Sequence, residues 1–166
     1  ISTIFGCGVY DETLKLSLGW CGQHGNPAAN YTIQEADLII ALGNRFDDRT
    51  TGSINTYATS AKQASKQKTG GIIHVNIEKD ELGFVIKSDY NFNNDCTQFI
   101  EQLIPYIEQK NRHEWINKCF KLKENYPFVI NKHDKKLHME DVLDTFNRYT
   151  RDKDCIFTTG VGNHQM

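Results

Sequence analysis

Arg45-Phe46-Asp47-Asp48-Arg49-Thr50-Thr51-Gly52 gathers two guanidinium groups and two carboxylates into five consecutive positions. Arginine offers a planar fork of donors that suits phosphate, and aspartate accepts from sugar hydroxyls or fixes the arginines. Adjacent aspartates flanked by arginines stay ionised, so they serve binding better than proton transfer. Taken alone, the stretch could be a solvated charged turn. Its place favours a ligand loop, because it follows Leu38-Ile39-Ile40-Ala41-Leu42-Gly43, an apolar run that reads as a buried strand of a parallel sheet. Ligands of open α/β sheets sit just past the carboxyl ends of the strands.

Other segments have the same character. Gly22-Gln23-His24-Gly25-Asn26-Pro27 opens a helix, whose first amides and positive end can hold an anion; an ordinary capped helix would look the same. Gly6 and Gly8 lie in a turn after Ser2-Thr3-Ile4-Phe5. Three such segments at strand ends or a helix start point to a long, multi-charged ligand such as a dinucleotide. None is a Gly-x-Gly-x-x-Gly, which disfavours a standard nicotinamide site. Asn76, Asp80 and Glu81 follow a second strand, where ribose hydroxyls can be held, although Asp80 serves equally as a helix cap. Asn94-Asp95-Cys96 could serve the same ligand or cap the next helix. Gly160-Val161-Gly162-Asn163-His164-Gln165 has the composition of a ligand loop or of a domain linker. There is no Gly-x-Ser-x-Gly elbow and no Walker loop.

The elements that must position these residues follow from pattern. Ser2 to Cys7 reads as the end of a strand, and residues 14–25 as a long loop. Asn26 as N-cap and Pro27 at the first helical position start a helix that runs to about Glu35. Strands are expected at Asp37 to Leu42, Ile72 to Ile77, Asp89 to Phe92 and Asp154 to Thr158. A short helix is expected at Asp80 to Lys87. An amphipathic one at Thr97 to Gln109 puts Phe99, Ile100, Leu103, Ile104 and Ile107 on one face. Further helices span Asn111 to Asn125, with Trp115 and Cys119, and His138 to Tyr149, with Val142, Leu143 and Phe146 inward. This order predicts an α/β fold, a doubly wound, mostly parallel Rossmann-like sheet. The polar stretch Ile130 to Lys136, after Pro127, marks a domain boundary.

The 166 residues suffice for one domain with a real core. A hydrophobic fraction of 39% and a charged fraction of 24% fit a globular protein. The net charge of −2 argues against broad nucleic-acid or membrane-surface binding. No apolar run approaches the ~20 residues of a membrane span. Five scattered cysteines without Cys-x-x-Cys spacing read as free thiols, with Cys21 and Cys96 as fillers, and the dispersed histidines disfavour a zinc site. His113, His133 and His138 read as surface residues. The start at Ile1 and the stop a few residues past Thr159 give the expectation of an internal piece of a longer chain.

The segments Ser2-Thr3-Ile4 with Gly6 and Gly8, Leu16-Ser17-Leu18, Gly22-Gln23-His24-Gly25, Ala36 to Gly43, Arg45 to Arg49 with Thr51-Gly52, and Thr158 to Met166 together resemble the acetolactate synthase (acetohydroxyacid synthase) catalytic subunit family of thiamine-diphosphate enzymes. The resemblance implies three parts: residues 1–128 as the central FAD-binding domain lacking its N-terminal part, 129–137 as a linker, and 138–166 as the start of the α/β domain that binds the thiamine diphosphate pyrophosphate. It implies FAD contacts at Thr3, Ile4, Phe5, Cys21, Gly22, Gln23, His24, Gly43, Asn44, Arg45, Asp47, Arg49, Asn76, Ile77, Glu81, Asp95, Cys96 and Gln165. Thiamine diphosphate contacts fall at Val161, Gly162, Asn163 and His164. Mg2+ and the thiamine-activating glutamate are implied to lie outside this segment, so that no catalytic residue falls in it and the chain by itself is inactive.

The implied reaction joins pyruvate to a second 2-keto acid with loss of CO2, in branched-chain amino-acid biosynthesis. The implied partners are 2-keto acids, a homodimer or homotetramer, and a regulatory subunit as an open question, with neither nucleic acid nor membrane. Four positions depart from the family pattern: Gln23 for methionine, Thr50 for valine, Asn163 for glutamine, and Asn76 for an acidic residue. The polar insert Ser60 to Gly70 is like that of fungal-type members. That points to a mitochondrion or plastid, whereas a bacterial source would mean the cytoplasm. Two rival readings are another FAD-type thiamine-diphosphate carboligase or oxidase, and a non-catalytic nucleotide-binding module.

Overall fold

The structure is a computed structural model that describes residues 1–129, 136–158, 160 and 162. The chain divides into two compact units, Ile1–Pro127 and Phe128–Met166.

The first unit is built on a three-stranded parallel sheet, β1 (Leu38–Leu42), β2 (Gly71–Asn76) and β3 (Tyr90–Asn93), in the order β1-β2-β3. Leu38 pairs with Gly71 and Leu42 with Val75, while Ile73 pairs with Tyr90 and Asn76 with Asn93. Because all three strands run the same way, their carboxyl ends share one edge. The N–H of Gly71 meets the Asp37 carbonyl at 2.8 Å, and the Asp89 carboxylate accepts from Ile72 N and the Ser65 hydroxyl. These bonds fix the register at the opposite end.

Helix α1 (Pro27–Glu35) begins as the sequence predicts. The Asn26 side chain accepts from Ala28 N, and Pro27 occupies a position whose N–H no helix would use. A single turn, α2 (Asp48–Thr51), is capped by Asp47. Next comes α3 (Thr59–Gln67), which packs on β2 and on α1. Helix α4 (Cys96–Leu103) starts on the Asp95 carboxylate, which accepts from Thr97 N and Gln98 N. It is shorter than its periodicity predicts. Pro105 has no N–H to continue the ladder, and the chain tightens into a 3-10 turn at Ile104–Tyr106. Helix α5 (His113–Asn125) lies against α1, with a Lys118–Glu35 ion pair at 2.5 Å.

Along β1 and β2 the alternate residues Ile39, Ala41 and Ile72 face a core shared with Ala29, Ile33, Ala61 and Cys119. The other face of β1 is not covered as the apolar run predicts: Leu38, Ile40 and Leu42 are 49%, 42% and 42% exposed.

Two further expectations change. Ser2 to Cys7 forms a 3-10 turn (Ile4–Gly6), touched only by isolated bridges from Ser2 to Trp20 and from Cys7 to Tyr10. Residues 80–87 form no α-helix. A 3-10 turn at Lys79–Glu81 is followed by Gly83 at φ 68°, which breaks any helix and turns Ile86 into the core.

In the second unit, α6 (Met139–Thr150) forms as expected, and Phe146 meets Phe157 edge-on at 5.0 Å. Val142, Leu143 and Phe146 are nonetheless about half exposed, and Asp154 to Thr158 is not a strand; Ile156 is 94% exposed. A parallel strand exists only against a neighbour, and none pairs with it among the described residues.

Candidate functional site

Past the carboxyl edge of the sheet, four segments meet: the 19–25 loop, the Gly43–Gly52 loop, the turn after β2 and the start of α4. Each is held by backbone and side-chain hydrogen bonds to its neighbours.

The first joint ties the Gly22 loop to Arg49. Gln23 N donates to the Arg49 carbonyl at 2.8 Å, and Arg49 Nη1 donates to Gln23 Oε1 at 3.0 Å. The Asn30 side chain clasps Gly22 from α1, accepting from its N–H at 2.8 Å and donating to its carbonyl at 3.0 Å. Gly22 sits at φ 116°, and a Cβ there would stand 2.6 Å from the Arg49 oxygen. No other residue type allows this approach.

The second joint runs across the sheet. His74 Nε2 lies 2.6 Å from the Asn44 carbonyl, and Asn76 Nδ2 reaches the same oxygen at 3.4 Å. Asn93 Nδ2 donates to the carbonyls of Asn76 and Ile77 at 3.0 and 2.7 Å. Between these joints, Phe46 is buried to 1% exposure at φ 56°. Its N–H donates to Asn44 Oδ1 at 2.6 Å, and its ring meets His74 and Tyr57 edge-on at 4.9 and 5.9 Å. Burying Phe46 turns Arg45 and Asp47 outward. Their ion pair spans 3.7 Å and is largely solvated, worth ~1 kcal/mol or less.

The third joint joins the chain start to the same region. Cys21 N donates to the Ser2 carbonyl at 2.9 Å. Thr3, Phe5, Cys21, Gly43 and Asn44 all line a groove of about 1040 Å³ that is mostly apolar. Cys96 Sγ approaches Gly43 to 3.7 Å of where a Cβ would stand. Ile4, Phe5, His24 and Ile77 are exposed, and Glu81 is half-buried in the turn after β2.

The helix starts are less open to anions than their sequences imply. At α1, Pro27 has no N–H and Ala28 gives its own to Asn26; at α2 and α4, carboxylates already take the first amides. Positive charge for a phosphate therefore comes from the Arg45 and Arg49 side chains rather than from helix ends. Asp47 is both cap and candidate acceptor. Among the described residues no group of three or more His, Cys, Asp or Glu could hold a metal, and no helix is long and apolar enough to cross a membrane.

Three positioning residues escape the sequence reading: Asn30, His74 and Asn93. Two of them carried a signal. Asn30 is a poor helix former inside a helix, and His74 is a polar group in an otherwise apolar strand, so each needed a partner outside its own element. Val161, Asn163, His164 and Gln165 lie outside the described residues, as does His133; Gly162 is half-buried in a bend.

Burial raises the Cys21 thiol above its ordinary 9.0, and the Asp47 charge adds to this. Burial also raises the Tyr57 phenol above its ordinary 10.0. The folded chain keeps both protons at pH values where the unfolded chain has lost them. The contribution of these two groups is therefore level below about pH 8 and falls as pH rises through the ordinary thiol and phenol values. Urea midpoints between pH 7 and 10 check this, and a flat profile would contradict it.

Residues 1–103 match the protein family described as "Thiamine pyrophosphate enzyme, central domain". The mitochondrial acetolactate synthase of Schizosaccharomyces pombe is 36% identical over 172 residues, covering 99% of this chain and 26% of that protein. The mitochondrial acetolactate synthase catalytic subunit of Saccharomyces cerevisiae is 35% identical over 170 residues, covering 99% and 25%. Acetolactate synthase isozyme 1 large subunit of Escherichia coli is 35% identical over 164 residues, covering 99% and 27%. The chain thus spans about a quarter of the length of these relatives.

Proposed function

Because this chain belongs to the thiamine pyrophosphate enzyme family through its central domain, we propose that it is part of an acetolactate synthase catalytic subunit. The whole protein would join pyruvate to a second 2-keto acid with loss of CO2, thiamine diphosphate supplying the carbanion chemistry. Its 2-keto acid substrates, homo-oligomeric assembly, any regulatory subunit and Mg2+ belong to the same proposal. The observation that carries it is the match over 99% of the chain to acetolactate synthases from fungi and a bacterium.

The part proposed for this segment is to bind FAD at the carboxyl edge of the sheet. The residues present suit such a ligand. Arg45 and Arg49 offer forks for a diphosphate, and Asp47 and Glu81 offer acceptors for hydroxyls, whereas Asn76 is buried with its amide engaged by Asn44 and Glu78. The apolar groove beside Gly43 and Asn44 offers a surface for flat rings. The condensation has no net redox step, so FAD there is a bound scaffold. Gly162 and its neighbours Val161, Asn163 and His164 are proposed to touch thiamine diphosphate.

Titrating FAD into the chain and following quenching of flavin fluorescence tests the site. Arg45→Ala and Arg49→Ala are each expected to weaken binding about tenfold, since a charge-assisted hydrogen bond contributes ~1.5–3 kcal/mol. Binding as tight as wild type in both variants, or NAD bound in place of FAD, would leave only a nucleotide-binding module. The sequence contains no Gly-Asp-Gly magnesium motif. The purified chain is accordingly expected to form no acetolactate from pyruvate, thiamine diphosphate and Mg2+; measurable turnover would overturn that assignment.

A further inference from the structure

We propose that His74 is a positioning residue that latches the two loops of the ligand edge into one relative placement, an inference that rests on reading this edge as a nucleotide site. The ring is fully buried. Its Nε2 lies 2.6 Å from the Asn44 carbonyl, which can only accept. Its Nδ1 lies 3.2 Å from the Gly83 N–H, which can only donate. The two partners therefore fix the tautomer: the proton sits on Nε2 and the lone pair on Nδ1. Each nitrogen holds a different loop. The Asn44 side leads directly into Arg45, Phe46 and Asp47, and the Gly83 side closes the turn that carries Glu81.

Two features single the latch out from ordinary core packing. Phe46, stacked edge-on against the ring, is a bulky residue in the left-handed region, a costly conformation that persists only where its surroundings impose it. And His74 interrupts the apolar run Ile72 to Val75, in which its buried neighbours Ile72 and Val75 need no partner beyond apolar contact. A residue chosen only to fill this space would be apolar. The imidazole adds one donor and one acceptor directed to two loops, beside Asn76, whose Nδ2 reaches the same Asn44 carbonyl at 3.4 Å and whose Oδ1 accepts from Glu78 N at 3.0 Å.

Two substitutions open the latch from opposite sides. In His74→Gln the amide nitrogen takes the place of Nε2 and keeps the bond to Asn44, while the acceptor for Gly83 is lost. In His74→Asn the shorter side chain keeps an acceptor near Nδ1 but no longer reaches Asn44. Amide hydrogen exchange followed by NMR on the full chain should show faster exchange, about tenfold, at Gly83 alone in His74→Gln and at Phe46 alone in His74→Asn. The Ala36 amide, bonded to Thr32 within α1, should not change in either. FAD affinity should fall about tenfold in both, because a ligand spanning the two loops needs both in place.

Uniformly faster exchange, including Ala36, would reduce His74 to a plain core residue and overturn the proposal, as would no change at Gly83 and Phe46. A wild-type chain that binds no FAD but shows the split exchange pattern would retain the latch and remove the nucleotide reading. Unchanged FAD affinity in both variants, with wild-type binding intact, would overturn the latch's part in binding while leaving the site.

Discussion

Phe46→Ala is expected to destabilise the first unit by about 3–5 kcal/mol, the range for removing a large buried aromatic side chain. The ring is 1% exposed and belongs to the central cluster with Leu18, Ala41, Tyr57, Ala58 and Ile72. It also makes two edge-on aromatic contacts, each worth ~0.5–1.5 kcal/mol beyond area. Alanine keeps the left-handed backbone and its cost, so nothing offsets the loss. Against a typical total of about 5–15 kcal/mol, such a change leaves the domain marginal. The measurement is a urea titration followed by circular dichroism, with Phe46→Leu as control. Leucine keeps most of the volume and should cost less than half as much. Equal midpoints for wild type and Phe46→Ala would mean that the ring is not packed as described.

Gly22→Ala ranks next, at about 3 kcal/mol. Two costs combine: a left-handed backbone position, ~1–2 kcal/mol, and a methyl group forced against the Arg49 carbonyl, ~1–3 kcal/mol. The comparison that isolates the second is Gly52→Ala. Gly52 also has positive φ, 59°, but a Cβ there meets nothing within 4 Å. The difference between the two midpoints therefore measures the Gly22–Arg49 approach. Gly22→Ala should also weaken FAD binding more than Gly52→Ala, since only the former displaces Arg49. Identical losses for both glycines would show that the loops do not meet closely.

Much of this was legible in the chain because the relevant physics is local. Asn26-Pro27 announces a helix start through its own side chain and its missing N–H, and Asp95 does so through a carboxylate beside the free amides of the next turn. Strands β1 and β2 were legible from apolar composition, and parallel pairing then places Gly43, Asn76 and Asp95 at a common edge. What stayed hidden depends on neighbours that composition does not name. The run Leu38 to Leu42 states that the strand is apolar, not that both faces are covered, and one face is not. Asp154 to Thr158 has the composition of a strand, but pairing is a property of two segments. His74 was read as one more residue of a strand, because its significance lies in atoms of Asn44 and Gly83, 30 and 9 positions away. The helix starts misled for a related reason: amides that look free in sequence are already taken by Asn26, Asp47 and Asp95.

The joints of the ligand edge bear on how the chain folds in time. The Gln23–Arg49 bond spans 26 positions, and the His74–Asn44 bond spans 30. Strand β1 cannot pair until β2 has been made. None of these closures is rewarded until a long loop has been drawn shut, so the entropy of closing comes first and the contacts follow. The helices can flicker into being from their own caps within microseconds, whereas the edge is among the last features to consolidate. During synthesis the loop carrying Arg45 and Arg49 leaves the ribosome well before His74 does. The binding edge is therefore absent from the nascent chain until β2 and the Gly83 turn have emerged, and it then arrives as a unit.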